Sequence, residues 1–106
     1  MNSTELAKKV RLDCIKMVYE AQASHIASAL SIIDILSTLF NDTLNIFPSE
    51  PENNERDRFI LSKGHACVGV YAVLAECGFF DKEILSTYSQ NDSILMNHIS
   101  HKVPGV

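Results

Sequence analysis

The clearest periodic pattern of the chain lies in its N-terminal segment. Apolar residues recur there every three or four positions, at Leu6, Val10, Cys14, Met17 and Ala21. This spacing puts them on one face of an α-helix. The charged residues between them are expected to be solvated: Lys8, Lys9, Asp13, Lys16 and Glu20. Because Asn2 and Glu5 form a typical N-terminal cap, the pattern predicts a helix from about residue 3 to about residue 23.

A second helix is predicted between residues 31 and 40. Ser31 with Asp34 is again a capping signal, and the residues that follow are mostly apolar. Because these apolar side chains cover more than one face, the helix is expected to be buried on two sides. The stretch that begins at Ser24 and His25 is interpreted as a connection, and residues 49–55 as a polar surface loop.

The middle of the chain carries the most informative stretch. Residues 59–61 form a short apolar run, and Ser62-Lys63-Gly64-His65 follows it directly. This pattern predicts a buried strand, a glycine turn and a helix that begins near His65. The start of such a helix offers free N–H groups and a positive dipole end, which suit an anion and phosphate above all. Many α/β proteins have this corner without a ligand, so the local pattern leaves both possibilities open.

The helix after His65 is predicted to cover residues 66–77. Gly78 stands where a left-handed residue would end it. Asp81 is expected to cap a short further helix that reaches Ser86 or Tyr88, with Ile84 and Leu85 turned inward. Beyond residue 88 the pattern is typical of loops.

Composition and charge narrow the class of protein. The 106 residues are enough for one small domain, and 46% hydrophobic residues indicate a globular chain. A net charge of −4 without a Lys/Arg cluster gives no support for nucleic-acid binding. No apolar run is long enough for a membrane helix, and no secretory signal is visible. The cysteines, Cys14, Cys67 and Cys77, are odd in number and suggest reduced, buried thiols in the cytoplasm.

Four histidines are the remaining candidates for chemistry: His25, His65, His98 and His101. Three of them are expected in connections next to element ends, where ligand-contacting residues usually lie. His98 and His101 alone have no cysteine or carboxylate pair at a spacing that would complete a zinc site. No metal site is therefore predicted within the chain.

These segments together resemble one known family, the transketolases, in their N-terminal, thiamine-diphosphate-binding portion. Residues 57–66, Asp-Arg-Phe-Ile-Leu-Ser-Lys-Gly-His-Ala, are similar almost letter for letter to the strand-and-turn motif of that family. Residues 71–80 are similar to the helix and glycine corner that follow it. Residues 24–36 fall where the family has a Gly-His-Pro loop and a helix. His98 with the Pro-Gly-Val of residues 104–106 resembles the third histidine loop.

The resemblance implies roles for individual residues. His65 would lie beside the cofactor, near its diphosphate and reactive thiazolium, and Gly64 and Ser62 of the same turn would also bind it. His98 would face the sugar hydroxyl next to the carbon that bonds to the cofactor. His25 would lie on the substrate side, where it contacts a hydroxyl or assists proton transfer. Imidazole suits these roles because it can donate and accept protons near neutral pH.

The sequence departs from the family pattern in two places. Ser24-His25-Ile26-Ala27-Ser28 stands where the family has Gly-His-Pro-Gly. Ala27 would be strained by on the order of 1 kcal/mol wherever the family glycine has a positive φ. The chain also ends before the Gly-Asp-Gly and asparagine that hold Mg²⁺ in the family, and before the pyrimidine-binding domain. Residues 1–106 are therefore expected to be an incomplete domain, with Mg²⁺ supplied by residues outside the chain.

The implied fold is α/β: a fragment of the thiamine-diphosphate-binding fold, mostly helical, with one clear central parallel strand. The implied function is part of a transketolase-like enzyme that transfers a two-carbon ketol unit between sugar phosphates. Such a chain would be inactive alone and would pair with a complementary transketolase chain or form a homodimer. Two alternatives stay open, a truncated inactive relic and a protein-interaction module built from the helical half of the fold.

Overall fold

A computed structural model describes residues 1–106. The chain forms four α-helices, namely α1 (Ser3–Ala21), α2 (Ile26–Leu30), α3 (Ile33–Thr38) and α4 (Cys67–Glu76). One π-helical turn, Leu39–Thr43, continues α3, and two 3₁₀-helical segments cover Gly64–Ala66 and Lys82–Thr87. No helix combines the length and the hydrophobicity that a membrane span requires.

The first helix confirms the N-terminal pattern. The Asn2 side-chain oxygen accepts a hydrogen bond from the Glu5 N–H at 2.9 Å, which satisfies one free donor of the first turn. The apolar stripe faces the core, where its first four members are buried: Leu6, Val10, Cys14 and Met17. The helix ends with Gln22 in the left-handed region, at φ 54°.

The expectation of a solvated charged face is wrong at Asp13. This carboxyl is half-buried between α1 and the end of α4, where it faces Glu76, and its Oδ2 atom has no hydrogen-bond donor. Glu76 is held by Lys82, whose Nζ lies 2.8 Å from its Oε2 atom. Burial, and then the neighbouring Glu76, raise the pKa of Asp13 to about 7, while Lys82 and Lys16 oppose the rise.

The region of the second predicted helix differs from expectation in three ways. Residues 26–30, interpreted as a connection, form α2, and α3 begins only at Ile33. Ser31 does not cap α3; its hydroxyl donates to the Ser28 carbonyl at 2.8 Å instead. Burial is one-sided, because Ile33 and Leu36 are buried while Ile35 is 61% exposed.

The predicted central parallel strand is wrong. Residues 57–61 are neither helical nor paired as a strand, and no sheet exists anywhere in residues 1–106. A parallel strand needs neighbouring strands for its backbone groups. The one backbone–backbone hydrogen bond of this segment runs from the Asp57 N–H to the Asn45 carbonyl, at 2.8 Å. Ile60 is consequently 87% exposed.

Helix α4 takes the central place that a strand was expected to hold. Every residue from 67 to 75 is buried, so this helix is covered on all sides. Gly78 follows it at φ +92°, which confirms the predicted left-handed end. The segment after Asp81 is a 3₁₀-helix, and the Asp81 side chain does not cap it. Leu85 of that segment is buried as expected.

Candidate functional site

Three of the four histidines come together in space. The rings of His25 and His65 are stacked, with centroids 4.4 Å apart and planes inclined by 15°. The ring of His98 lies on the other flank of His65, at a centroid distance of 4.9 Å and an angle of 53°. All three side chains are exposed, so the cluster lies at the surface and is open to a ligand.

His25 directly precedes α2 in a backbone conformation that is unusual for its type. It has φ 70° and ψ 22°, in the left-handed region that favours glycine. Ala27, the residue expected to be strained there, lies inside α2 and has no positive φ. The strain of this loop is therefore at the histidine itself, and such strain often marks a functional site.

His65 is the central residue of the 3₁₀ turn that leads into α4. The turn is tied to the α2–α3 region by Lys63, whose Nζ lies 2.9 Å from the Ser31 hydroxyl and 3.5 Å from the Ser28 carbonyl oxygen. This tether places His65 against His25. Neither the turn nor α4 has a side-chain cap at its N-terminus. The sequence offered no sign of the Lys63 contact.

His98 lies in a loop without regular structure. Two side chains of α4 hold the backbone of this loop by hydrogen bonds. The Tyr71 hydroxyl lies 2.8 Å from the Met96 carbonyl oxygen and 3.1 Å from that of His98. The Cys67 thiol lies 3.0 Å from the Asn97 carbonyl oxygen. Sequence reasoning assigned Tyr71 and Cys67 only to the core. The available signal was their spacing of four, which puts two donors on one helix face.

The histidines line a cavity of about 380 Å³. Its remaining polar lining comes from Gln22, Ser24, Ser89 and Asn97, and no carboxylate faces it. Hydroxyl, amide and imidazole groups can donate hydrogen bonds to an anion or to sugar hydroxyls. A wall with these donors and no negative charge fits the diphosphate and polar parts of thiamine diphosphate.

The other predicted cofactor contacts have different positions. Gly64 faces His98, because a Cβ atom added to Gly64 would lie 3.3 Å from the His98 Nδ1 atom. The absence of a side chain at Gly64 thus leaves room for the third imidazole. Ser62 is exposed and does not line the cavity. His101 is exposed too and lies beside a separate groove with Lys102 and Glu50.

The three imidazoles do not form a metal centre. No group of three or more His, Cys, Asp or Glu side chains in residues 1–106 is arranged to hold a metal ion. The cysteines are all free thiols. The chemistry that the imidazoles themselves can supply at this site is hydrogen bonding and proton transfer.

Comparisons with known proteins agree on one family. Residues 2–105 match the family described as "Transketolase, thiamine diphosphate binding domain". The chain is 36% identical over 100 residues to one of the subunits of apulose-4-phosphate transketolase from Phocaeicola vulgatus, covering 94% of this chain and 36% of that protein. It is 35% identical over 94 residues to human transketolase, covering 89% of this chain and 15% of that protein.

The solved structures agree at the level of the fold. Transketolase from Leishmania mexicana superposes with a TM-score of 0.92 at 23% identity, over 100% of this chain and 16% of that one. The chain thus spans 36% or less of the length of these relatives. Because the family match covers residues 2–105, this chain belongs to the transketolase family, to its thiamine diphosphate binding domain.

Proposed function

We propose that this chain is one part of a transketolase-like enzyme that transfers a two-carbon ketol unit between sugar phosphates. The single observation that carries the proposal is the imidazole cluster. His25, His65 and His98 come from three separate segments, yet their rings line one cavity that has no carboxylate. A core histidine would be enclosed, whereas these three are exposed to an incoming ligand.

In this proposal each imidazole has its own task. His65, between the other two rings, binds next to the cofactor. His98 contacts the sugar hydroxyl beside the reacting carbon and moves its proton. His25 binds a hydroxyl on the substrate side or assists proton transfer. Such general acid–base groups must lie within hydrogen-bond reach of the proton they move, and the shared cavity is consistent with that requirement.

Thiamine diphosphate supplies the carbanion chemistry that the side chains of this chain cannot provide. We propose that His65 and the uncapped turn around Gly64 face its diphosphate, with Ser62 at the edge of the site. In this proposal the Mg²⁺ ligands lie in residues outside this chain, which agrees with the absence of any metal-binding group of three His, Cys, Asp or Glu side chains in residues 1–106.

The remaining parts of the site come from a partner in this proposal. The relatives that match at 36% and 39% identity are named as subunits, so a complementary chain is favoured over a homodimer. Their names also contain a sugar phosphate, which supports that substrate class here. The three free thiols are consistent with a reducing compartment such as the cytoplasm.

Calorimetric titration with thiamine diphosphate and Mg²⁺ tests this proposal, with and without the complementary chain. The isolated chain is expected to bind more weakly than micromolar. One imidazole and one helix terminus contribute only ~0.3–1 kcal/mol each, against the roughly 8 kcal/mol of micromolar affinity. With the complementary chain, binding and ketol transfer between sugar phosphates should both be measurable. An assembled pair that binds neither cofactor nor sugar phosphate would reject the proposal and leave the inactive relic and the interaction module as explanations.

A further inference from the structure

The loop that carries His98 has a distinctive hydrogen-bonding pattern. Residues 96–98 belong to no helix or strand, and all hydrogen bonds of their backbone come from two side chains of α4. The Tyr71 hydroxyl is shared between the carbonyl oxygens of Met96 and His98, at 2.8 and 3.1 Å. The Cys67 thiol reaches those of Asn97 and Met96, at 3.0 and 3.5 Å. Three consecutive carbonyls thus receive donors from one helix face.

These donors are buried and stay protonated. Cys67 and Tyr71 are both 0% exposed, within the fully buried stretch of α4. Burial raises the pKa of the Tyr71 hydroxyl and of the Cys67 thiol, so both remain donors through the neutral pH range. The side chain of His98, in contrast, is exposed and has no enclosing shell of its own. The position of its ring therefore depends on where its backbone is held.

Gly64 limits the same ring from the opposite side. The space that a Cβ atom of Gly64 would occupy lies 3.3 Å from His98 Nδ1, closer than ordinary van der Waals contact. Two contacts consequently limit the position of the His98 ring. The Tyr71 hydroxyl holds the His98 carbonyl, and the backbone of Gly64, in the turn that carries His65, lies next to the ring. Leu95, which is 0% exposed, anchors the start of the loop independently of these donors.

We propose that Tyr71 and Cys67 form a clamp that positions the His98 imidazole beside His65. Neither side chain lines the cavity, so both are positioning residues. The effect of the clamp on turnover rests on the proposed function, whereas its effect on the position of the ring does not.

Nuclear Overhauser spectroscopy of the isotope-labelled chain tests the clamp directly. The wild-type chain should give cross-peaks between the ring protons of His65 and those of both His25 and His98. Tyr71→Phe removes one hydroxyl and keeps the aromatic ring, so the fold should persist by circular dichroism. The His65–His98 cross-peak is expected to disappear, while the His25–His65 cross-peak remains as an internal control.

Tyr19→Phe is the matched control variant, because it removes a hydroxyl from a tyrosine outside the clamp. Tyr19 is 76% exposed on α1, and its hydroxyl makes no hydrogen bond to residues 96–98. This variant should keep both cross-peaks. A wild-type His65–His98 cross-peak in Tyr71→Phe would overturn the clamp. If Tyr71→Phe fails to fold, Cys67→Ala decides instead: a weaker cross-peak supports the clamp, and an unchanged one overturns it.

Kinetics of the assembly with its complementary chain provide a second readout. Misplacing a reacting group by about 1 Å can lower the rate by up to roughly 10²-fold, so Tyr71→Phe should lower turnover by about 10- to 10²-fold. The double variant with His98→Ala should be no slower than His98→Ala alone, because Tyr71 acts only through that ring. Multiplicative losses would overturn the clamp. A lost cross-peak with unchanged turnover would support the clamp and reject the proposed role of His98.

Discussion

The imidazole of His65 stacks on that of His25, with ring centroids 4.4 Å apart and planes inclined by 15°. The two residues reach this contact from different elements, because His25 precedes α2 while His65 lies in the turn before α4. Lys63 joins the two regions through the Ser31 hydroxyl at 2.9 Å. The stack is therefore a product of helix packing, and it brings together two side chains that the resemblance assigned to cofactor and substrate.

The first prediction concerns the individual imidazoles in the active assembly. His65→Ala and His98→Ala should each lower turnover by about 10²–10⁴-fold, the usual contribution of a general acid–base group. His101→Ala is the matched control, because His101 is exposed and lies outside the histidine cavity. Steady-state kinetics of the three variants decide. A loss for His101→Ala as large as that for His98→Ala would show that the wrong histidine has been assigned.

The second prediction separates backbone strain from ring chemistry at His25. Because His25 has φ 70°, glycine should relieve its backbone whereas alanine should not. His25→Gly is expected to be more stable than His25→Ala by ~1 kcal/mol, since a left-handed conformation costs about 1–2 kcal/mol for a residue with a Cβ atom. Urea unfolding of both variants measures the difference. Equal stabilities would mean that the loop relaxes out of this conformation when the ring is removed.

The third prediction is a pH dependence of stability that arises from Asp13. Its ordinary pKa is 3.8 and its pKa in the folded chain is about 7. A raised pKa means that the folded state binds a proton more tightly than the unfolded state, so Asp13 stabilises the fold below about pH 4. This contribution is lost as pH rises towards about 7. Because the carboxyl is only half-buried, solvent screening leaves ~1–2 kcal/mol of the effect.

Asp13→Asn isolates this effect, because an amide cannot ionise. Relative to the wild-type chain, the variant should gain ~1–2 kcal/mol of unfolding free energy between pH 4.5 and pH 7.5. Urea unfolding at the two pH values measures the gain, and Glu20→Gln on the exposed side of α1 should show none. A difference between Asp13→Asn and wild type that does not change with pH would contradict the shared burial of Asp13 and Glu76.

The fourth prediction compares two glycines with similar backbones. Gly105 and Gly78 have φ +97° and +92°, so alanine is strained at either position by ~1 kcal/mol. At Gly105 a Cβ atom would also lie 2.8 Å from Leu74 Cδ2 and 2.9 Å from Phe79 Cδ1, whereas at Gly78 its nearest neighbour is 3.9 Å away. Overpacking adds about 1–3 kcal/mol. Gly105→Ala should therefore lower the unfolding free energy clearly more than Gly78→Ala, and equal losses in urea unfolding would contradict this packing.

Features whose causes lie within one turn of helix could be predicted from the sequence alone. The Asn2 cap, the α1 stripe from Leu6 to Met17 and the end of α4 at Gly78 each depend on residues no more than a few positions apart. The family resemblance likewise rests on contiguous motifs. The resemblance identified the three histidines of the cluster and implied a role for each. It did not predict that their rings are in contact.

Features that depend on residues far apart along the chain were decided by the tertiary structure alone. Residues 59–61 read as a buried strand, yet no second strand is present to pair with them, and Ile60 is left 87% exposed. Asp13 reads as a solvated charge, yet helix packing places it against Glu76. The hydrogen bonds from Tyr71 to the His98 loop could not be predicted, because the sequence pattern does not distinguish a tyrosine that bonds a distant loop from any other core residue. In each case the outcome depends on whether segments far apart along the chain meet, and the local sequence pattern carries no information about that.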